Sequence, residues 1–154
     1  MEIERKWLLK KIPKHFPSGH YNIEQFYLTT NPELRFRKKI DLYNNEISYK
    51  LTVKSEGDII REENEMNISE NIYETFKKLV NKPVIFKDYY TFWYNNHKIE
   101  ISQVDNDFIY AEIEFNSIEE ATAFKWYEDY FGYAEDITYN PNYKMKNYWN
   151  KTRN

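Results

Sequence analysis

Glu2-Ile3-Glu4-Arg5-Lys6 opens the chain with two carboxylates and an ammonium at alternate positions. In an extended strand, alternate side chains share a face. Glu2, Glu4 and Lys6 then project together, while Ile3, Arg5 and Trp7 point the other way. Such a row can hold a hard cation beside an anion, or it can be a solvated face carrying ordinary surface charge. Matching rows elsewhere decide the matter, and the chain has several. Glu33, Arg35 and Arg37 alternate with Leu34 and Phe36; Lys50, Thr52 and Lys54 alternate with Tyr49, Leu51 and Val53. Arg61, Glu63 and Glu65 share one face of the next segment. Lys98 and Glu100 alternate with Ile99 and Ile101, and Glu112 and Glu114 with Ala111, Ile113 and Phe115.

Same-sign pairs two residues apart repel along a strand face, and a surface built for solubility has no need of them. Gathered in an enclosed space, the rows acquire a use. Clustered carboxylates raise one another's pKa unless a cation compensates them. Oxygen donors without cysteine or histidine favour magnesium, manganese or calcium over zinc. Opposing basic rows neutralise a polyanion, and a chain of phosphates bridged by metal suits both walls. With only 3 glycines, the chain has neither Gly-x-x-x-x-Gly-Lys nor Gly-x-Gly-x-x-Gly, so phosphate binding falls to side chains. Lys50 points the same way as Lys54 by alternation and joins the basic set.

The elements that must position these rows are mostly strands. Period-2 alternation marks strands near 2–9, 20–30, 33–42, 46–55, 59–68, 83–95, 97–105 and 108–116. Asn44-Asn45, Ser55-Glu56-Gly57-Asp58 and Asn95-Asn96 read as turns. Ser69 caps a helix with Ile72, Phe76, Leu79 and Val80 on its apolar side. Ser117, with Glu119 and Glu120, opens a second helix to about Phe131, and Gly132 ends it. A short helix is expected near 143–150. Two short helices cannot cover a sheet of about eight strands that is apolar on one face. A closed antiparallel β-barrel with a polar interior and helices packed outside resolves this, giving a single α+β domain over 1–154.

Composition narrows the function classes. No cysteine is present, which excludes disulfide scaffolds, thiolate metal sites and a cysteine nucleophile. The net charge of −3, from 22 basic and 25 acidic residues, provides no field for gathering nucleic acid. Arg35-Phe36-Arg37-Lys38-Lys39 mixes basic and aromatic residues, but alternation divides it between two faces. No long apolar run and no basic-then-apolar leader appear, so no membrane partner and a cytoplasmic location are expected. His15, His20 and His97 lack ligand spacing and read as surface residues.

The ordered series of motifs resembles the CYTH, or triphosphate tunnel metalloenzyme, superfamily. It comprises Glu2-Ile3-Glu4-Arg5-Lys6-Trp7-Leu8, Tyr27-Leu28-Thr29-Thr30, Leu34-Arg35-Phe36-Arg37 and Leu51-Thr52-Val53-Lys54-Ser55-Glu56-Gly57. Arg61-Glu62-Glu63-Asn64-Glu65, Glu112-Ile113-Glu114-Phe115 and Tyr143-Lys144 complete it. The resemblance implies a closed barrel forming a tunnel and a phosphohydrolase of inorganic, nucleoside or thiamine triphosphate. It implies Mg2+ or Mn2+ bound by Glu2, Glu4, Glu112 and Glu114 with support from Glu63 and Glu65. Lys6, Arg35, Arg37, Lys54, Arg61, Lys87 and Lys144 would grip the phosphates, and Lys6, Tyr27 and Glu114 would carry the chemistry. One metal would neutralise the phosphates while a second orients water for in-line attack. The partner would be a small-molecule triphosphate, and a homodimer is admitted. Alternatives are a class IV-type adenylate cyclase and a non-catalytic triphosphate-binding module. The His-Phe that often precedes the signature in the cyclases is absent, because Met1 precedes Glu2 directly. Three positions depart from the family pattern: Tyr89 replaces an Arg, Ser102 an acidic residue and Met145 an Asn.

Overall fold

A computed structural model of the chain describes residues 1–153. Ten strands form one antiparallel sheet: β1 (Glu2–Leu9), β2 (Gly19–Thr30), β3 (Glu33–Asp41), β4 (Ile47–Lys54), β5 (Ile60–Arg61), β6 (Glu63–Asn67), β7 (Ile85–Tyr94), β8 (His97–Val104), β9 (Phe108–Glu114) and β10 (Ala134–Asp136). Their order is β10-β1-β9-β8-β7-β2-β3-β4-β6, and β5 pairs back onto β1 through Glu2↔Arg61 and Ile3↔Ile60. That short return bends the sheet into a nearly closed barrel. β5 and β6 flank Glu62 and serve as one bent stave, while β10 extends β1 beyond the ring. The ten strands therefore make eight staves. The closed antiparallel barrel expected from the alternating rows is the observed architecture.

Tight turns fix the register. Asn45, Asn95 and Asn96 adopt the left-handed backbone at φ 64°, 49° and 64°, and Asp105 and Asn106 do the same between β8 and β9 at 49° and 57°. Once register is set, every odd-even choice along a strand decides inside from outside. The outer faces are apolar and carry the helices.

Helix α1 (Glu70–Val80) begins at Ser69, whose hydroxyl accepts the Ile72 amide at 3.1 Å. It buries Tyr73, with Phe76 and Val80 packed beside it, against Phe26, Phe36 and Tyr49. The expected apolar side is thus corrected by part of a turn: Ile72 is 44% and Leu79 69% exposed. Tyr73 wins the buried position because its hydroxyl donates to Glu24 at 2.9 Å while its ring fills the groove.

The second helix also departs from expectation. It breaks into α2 (Ile118–Ala123) and α3 (Glu128–Phe131), with Phe124 already extended at φ −64°, ψ 135°. Unwinding lets Phe124 meet Phe115, Trp126 meet Trp7 and Tyr127 meet Tyr94, at centroid distances of 5.2, 5.1 and 4.8 Å. A continuous helix would turn Trp126 away from the other two. Outward-pointing Arg5 secures the break by donating to the carbonyls of Ala121 and Phe124, both at 2.8 Å. The histidines are half-buried links rather than free surface residues. His97 joins Tyr127 and Glu120, His20 joins Asp88, and His15 stacks on Tyr130.

Helix α4 (Met145–Thr152) lies across one end of the barrel. Its Trp149 packs on Tyr27 at 5.7 Å and its Tyr148 on Phe108 at 5.4 Å. Arg153 then donates to the carbonyls of Pro83 and Val84 and pairs with Asp105 at 2.9 Å. Among the described residues, no helix is long and apolar enough to cross a membrane.

Candidate functional site

The inward faces of the staves enclose a cavity of about 510 Å³. Every site residue expected from the sequence lines it: Glu2, Glu4, Lys6, Tyr27, Arg35, Arg37, Lys50, Lys54, Arg61, Glu63, Glu65, Lys87, Glu112, Glu114 and Lys144. Register explains the convergence. β1 sets Glu4 opposite Glu114 and Lys6 opposite Glu112, and β8 sets Glu100 opposite Glu112. On the other side, Glu33, Arg35 and Arg37 face Lys54, Thr52 and Lys50. The interior is divided along its length. Beyond the charged rows, Leu8, Val104, Phe108 and Ile85 join the cluster under α4, so one end of the barrel is apolar and filled.

Carboxylates form one wall in two hydrogen-bonded pairs, Glu2 with Glu63 and Glu4 with Glu112. Burial and the contact with Glu2 push Glu63 up to about 7. Burial and neighbouring Glu112 raise Glu4 well above the usual carboxylate range. Glu112 moves the opposite way: burial opposes ionisation there, but Lys6, the Glu4 proton, Lys87 and Lys54 together outweigh it. Within each pair one carboxyl is pushed toward its neutral form and its neighbour toward the charged form. Glu2 is also the hub of an ionic chain, with Lys54 at 3.2 Å and Arg61 at 3.9 Å, and Arg61 reaches on to Glu33 at 3.3 Å.

The basic wall is less compensated. Arg35 and Arg37 form no ion pair among the described residues, and the Nε of each is buried without a partner. Arg37 donates to Gln25 at 3.2 Å, and burial beside Arg35 depresses its pKa. Lys6 donates to the Tyr143 carbonyl at 2.7 Å and Lys87 to the Tyr110 hydroxyl at 2.6 Å. Burial holds Lys87 well below the usual ammonium range. The Tyr27 hydroxyl, also buried and unpartnered, faces the same space.

Ion pairs reappear toward the rim. Lys50 binds Glu65 at 2.9 Å, Lys98 lies 3.8 Å from Glu100, and Lys144 holds Asp58 at 2.9 Å and the Gly57 carbonyl at 2.7 Å. The three departures from the family pattern are all accommodated. Tyr89 donates to Glu100 at 2.8 Å, Ser102 is buried against the Tyr110 hydroxyl, and Met145 lines the cavity beside Lys144. Residues outside the expected set include Gln25, Lys39, Glu100, Tyr110 and Thr138. Lys39 and Glu100 continue the inward alternation of Arg37 and Lys98. Gln25 and Tyr110 sit in apolar-looking strands whose inward parity becomes visible only with the register.

Among the described residues, no three carboxylates stand together as a formed cation site. The donor set nevertheless fits a hard divalent cation. It is all oxygen, and the crowded carboxylates raise one another's pKa, which a bound cation relieves.

No family model matches the chain, and no curated protein matches it. Solved structures do. Two structures of NE1496, one described as an inorganic triphosphatase and one as a hypothetical protein, align at TM-score 0.66. They are 27% and 28% identical, over 96% of this chain and 93% and 97% of theirs. A Pyrococcus horikoshii OT3 protein, PH1819, aligns at TM-score 0.59 with 16% identity, over 79% of this chain and 82% of its own. That fainter likeness concerns the fold alone. Near-full-length agreement with the triphosphatase barrel, together with the motif series that fills this interior, supports the resemblance to the CYTH, or triphosphate tunnel metalloenzyme, superfamily.

Proposed function

We propose that the chain is a metal-dependent phosphohydrolase of inorganic triphosphate or of a nucleoside or thiamine triphosphate. One observation carries the proposal: four enclosed basic side chains, Lys6, Arg35, Arg37 and Lys87, face a carboxylate wall without pairing with it. Buried charge of this kind costs stability unless an anion arrives to use it. The resemblance to an inorganic triphosphatase at 27% identity supports the same direction.

In this reading Arg35 and Arg37 grip phosphate oxygens with forked donors, while Lys6, Lys87, Lys54 and Arg61 add point charges. The unpartnered Tyr27 hydroxyl donates to a phosphate oxygen. The barrel wall limits bulk water, which strengthens each of these contacts and favours charge spread over the phosphoryl group in the transition state. Glu114, the carboxylate on the wet side of the wall, takes up the proton of the attacking water. Glu2, Glu4, Glu112 and Glu114, backed by Glu63 and Glu65, would hold Mg2+ or Mn2+, which supplies charge neutralisation and polarises water.

The test is phosphate release from tripolyphosphate, nucleoside triphosphates and thiamine triphosphate with each metal. We expect turnover on at least one, abolished by Glu112→Gln with folding intact. Inactivity on every substrate with both metals refutes the proposal. Cyclic AMP in place of phosphate, from ATP, would establish the cyclase chemistry instead.

A further inference from the structure

Lys6 and Lys87 are held in the cavity by neutral oxygens, and one side chain meets both of them. The Lys6 ammonium lies 4.1 Å from the centroid of the Tyr110 ring, and that of Lys87 lies 5.3 Å from the same centroid. Lys87 also donates to the Tyr110 hydroxyl at 2.6 Å, and buried Ser102 is the cross-strand neighbour of Tyr110. Tyr110 is 1% exposed, so its position is set by the wall around it.

We infer that Tyr110 is a positioning residue for the phosphate grip, seating Lys6 on its ring face and Lys87 on its hydroxyl; this rests on the polyphosphate reading of the cavity. The physical case turns on what a buried ammonium requires. Without an acceptor it carries a desolvation penalty, and the flexible lysine stem lets it swing toward any carboxylate in reach. A carboxylate acceptor would satisfy it but cancel the charge that an anionic ligand needs. A phenol satisfies the hydrogen bond and leaves the positive charge intact, while the ring face attracts a second cation without neutralising it. Ser102 fits the same logic, since an acidic side chain there would stand beside Lys87 and Tyr110 and quench one of the two charges. Glu112 stands opposite Lys6 across the ladder, and among the described residues neither ammonium forms an ion pair with it while both contact Tyr110.

The test is tripolyphosphate binding with Mg2+, measured by titration calorimetry on the wild-type chain, Tyr110→Phe, Lys87→Met and the double variant. Tyr110→Phe keeps the ring under Lys6 and removes the acceptor of Lys87. We expect about tenfold weaker binding, with a melting temperature lowered by no more than a few degrees. In the Lys87→Met background the same substitution should change affinity less than about twofold, because the residue through which it acts is gone. Tyr110→Met, which lacks ring and hydroxyl alike, should bind more weakly than Tyr110→Phe and serves if the Phe chain does not fold. An affinity unchanged by Tyr110→Phe, or equal losses in both backgrounds, overturns the inference alone. A wild-type chain that does not bind tripolyphosphate overturns the polyphosphate reading and this inference with it.

Discussion

Replacing Arg37 with Met should stabilise the ligand-free chain and weaken its hold on a polyphosphate. Arg37 is enclosed beside Arg35, two residues along the same inward face, with its Nε unpartnered and its pKa depressed by burial and by Arg35. Exchanging buried charge for an apolar side chain of similar volume stabilises proteins by about 1–4 kcal/mol in favourable cases. Against that, the Gln25 side-chain carbonyl loses its donor at 3.2 Å, a cost of about 1 kcal/mol. The net gain is at most about 3 kcal/mol, or roughly 6–12 °C of melting temperature for a chain of this size. Tripolyphosphate with Mg2+ at a hundred times its Kd should add about 2.7 kcal/mol to the wild type. Loss of one charged contact, about 1.5–3 kcal/mol, raises Kd by about 10–100-fold, so the variant at the same concentration gains only about 0.4–1.4 kcal/mol. Scanning calorimetry with and without ligand reads both effects in one experiment. A lower melting temperature for the ligand-free variant, or equal ligand-induced shifts in the two proteins, would refute the reasoning.

Three further outcomes follow from the same geometry. Lys54→Met strands Glu2 in a site where both side chains are more than nine-tenths buried. Urea unfolding should show a loss of about 3 kcal/mol, the lower end of the range because Arg61 stays within reach at 3.9 Å. Glu63 is pushed up to about 7 from an ordinary value of 4.5, so its protonated form is favoured by folding. Its stabilising effect is complete below about pH 4.5 and is lost as pH rises through about 7. The metal-free chain should therefore melt lower at pH 8 than at pH 5.5, by about 1 kcal/mol after allowance for screening by water in the cavity. Glu63→Gln should remove that component of the slope. Trp149→Ala should cost about 3–5 kcal/mol in unfolding free energy, because Trp149 is buried against Tyr27 where α4 closes the barrel.

Much of the interior was legible in the sequence because strand alternation is a strict code. Once Glu2, Glu4 and Lys6 are placed inward, Ile3, Arg5 and Trp7 must point outward, and the same holds for β3, β4 and β9. Closure was legible only indirectly, as more apolar sheet than two helices can cover. The seam itself was not. It consists of Glu2↔Arg61 and Ile3↔Ile60, and Glu62 interrupts a stretch that reads as one continuous strand. β10 is equally silent, since Ala134-Glu135-Asp136 has no strand pattern and is ordered by pairing with Leu9, Leu8 and Trp7. The break between α2 and α3 comes from tertiary demand, because three aromatic side chains reach the barrel only if the helix unwinds. Tyr110 was hidden for a related reason. Ile109-Tyr110-Ala111 reads as apolar wall, and only the cross-strand partners Leu8 and Ser102 reveal which way the phenol points.

The distribution of ion pairs separates what holds the barrel together from what awaits a ligand. At the seam, two backbone pairings are a thin closure for an eight-stave wall. The chain Lys54–Glu2–Arg61–Glu33 reinforces it by tying β4, β1, β5 and β3 through side chains. Toward the rim, Lys50–Glu65 and Lys144–Asp58 satisfy charges that water could otherwise reach. Between these two zones the opposite walls remain unpaired, although long, flexible side chains of both signs line the same cavity. Register accounts for this restraint: Lys6 is pinned to the Tyr143 carbonyl, Lys87 to Tyr110 and Arg37 to Gln25, each a neutral acceptor. A cavity that satisfies its basic side chains with neutral acceptors keeps the two walls unpaired at close range. Bridging them takes an anion and a cation together, and a metal–polyphosphate complex supplies both.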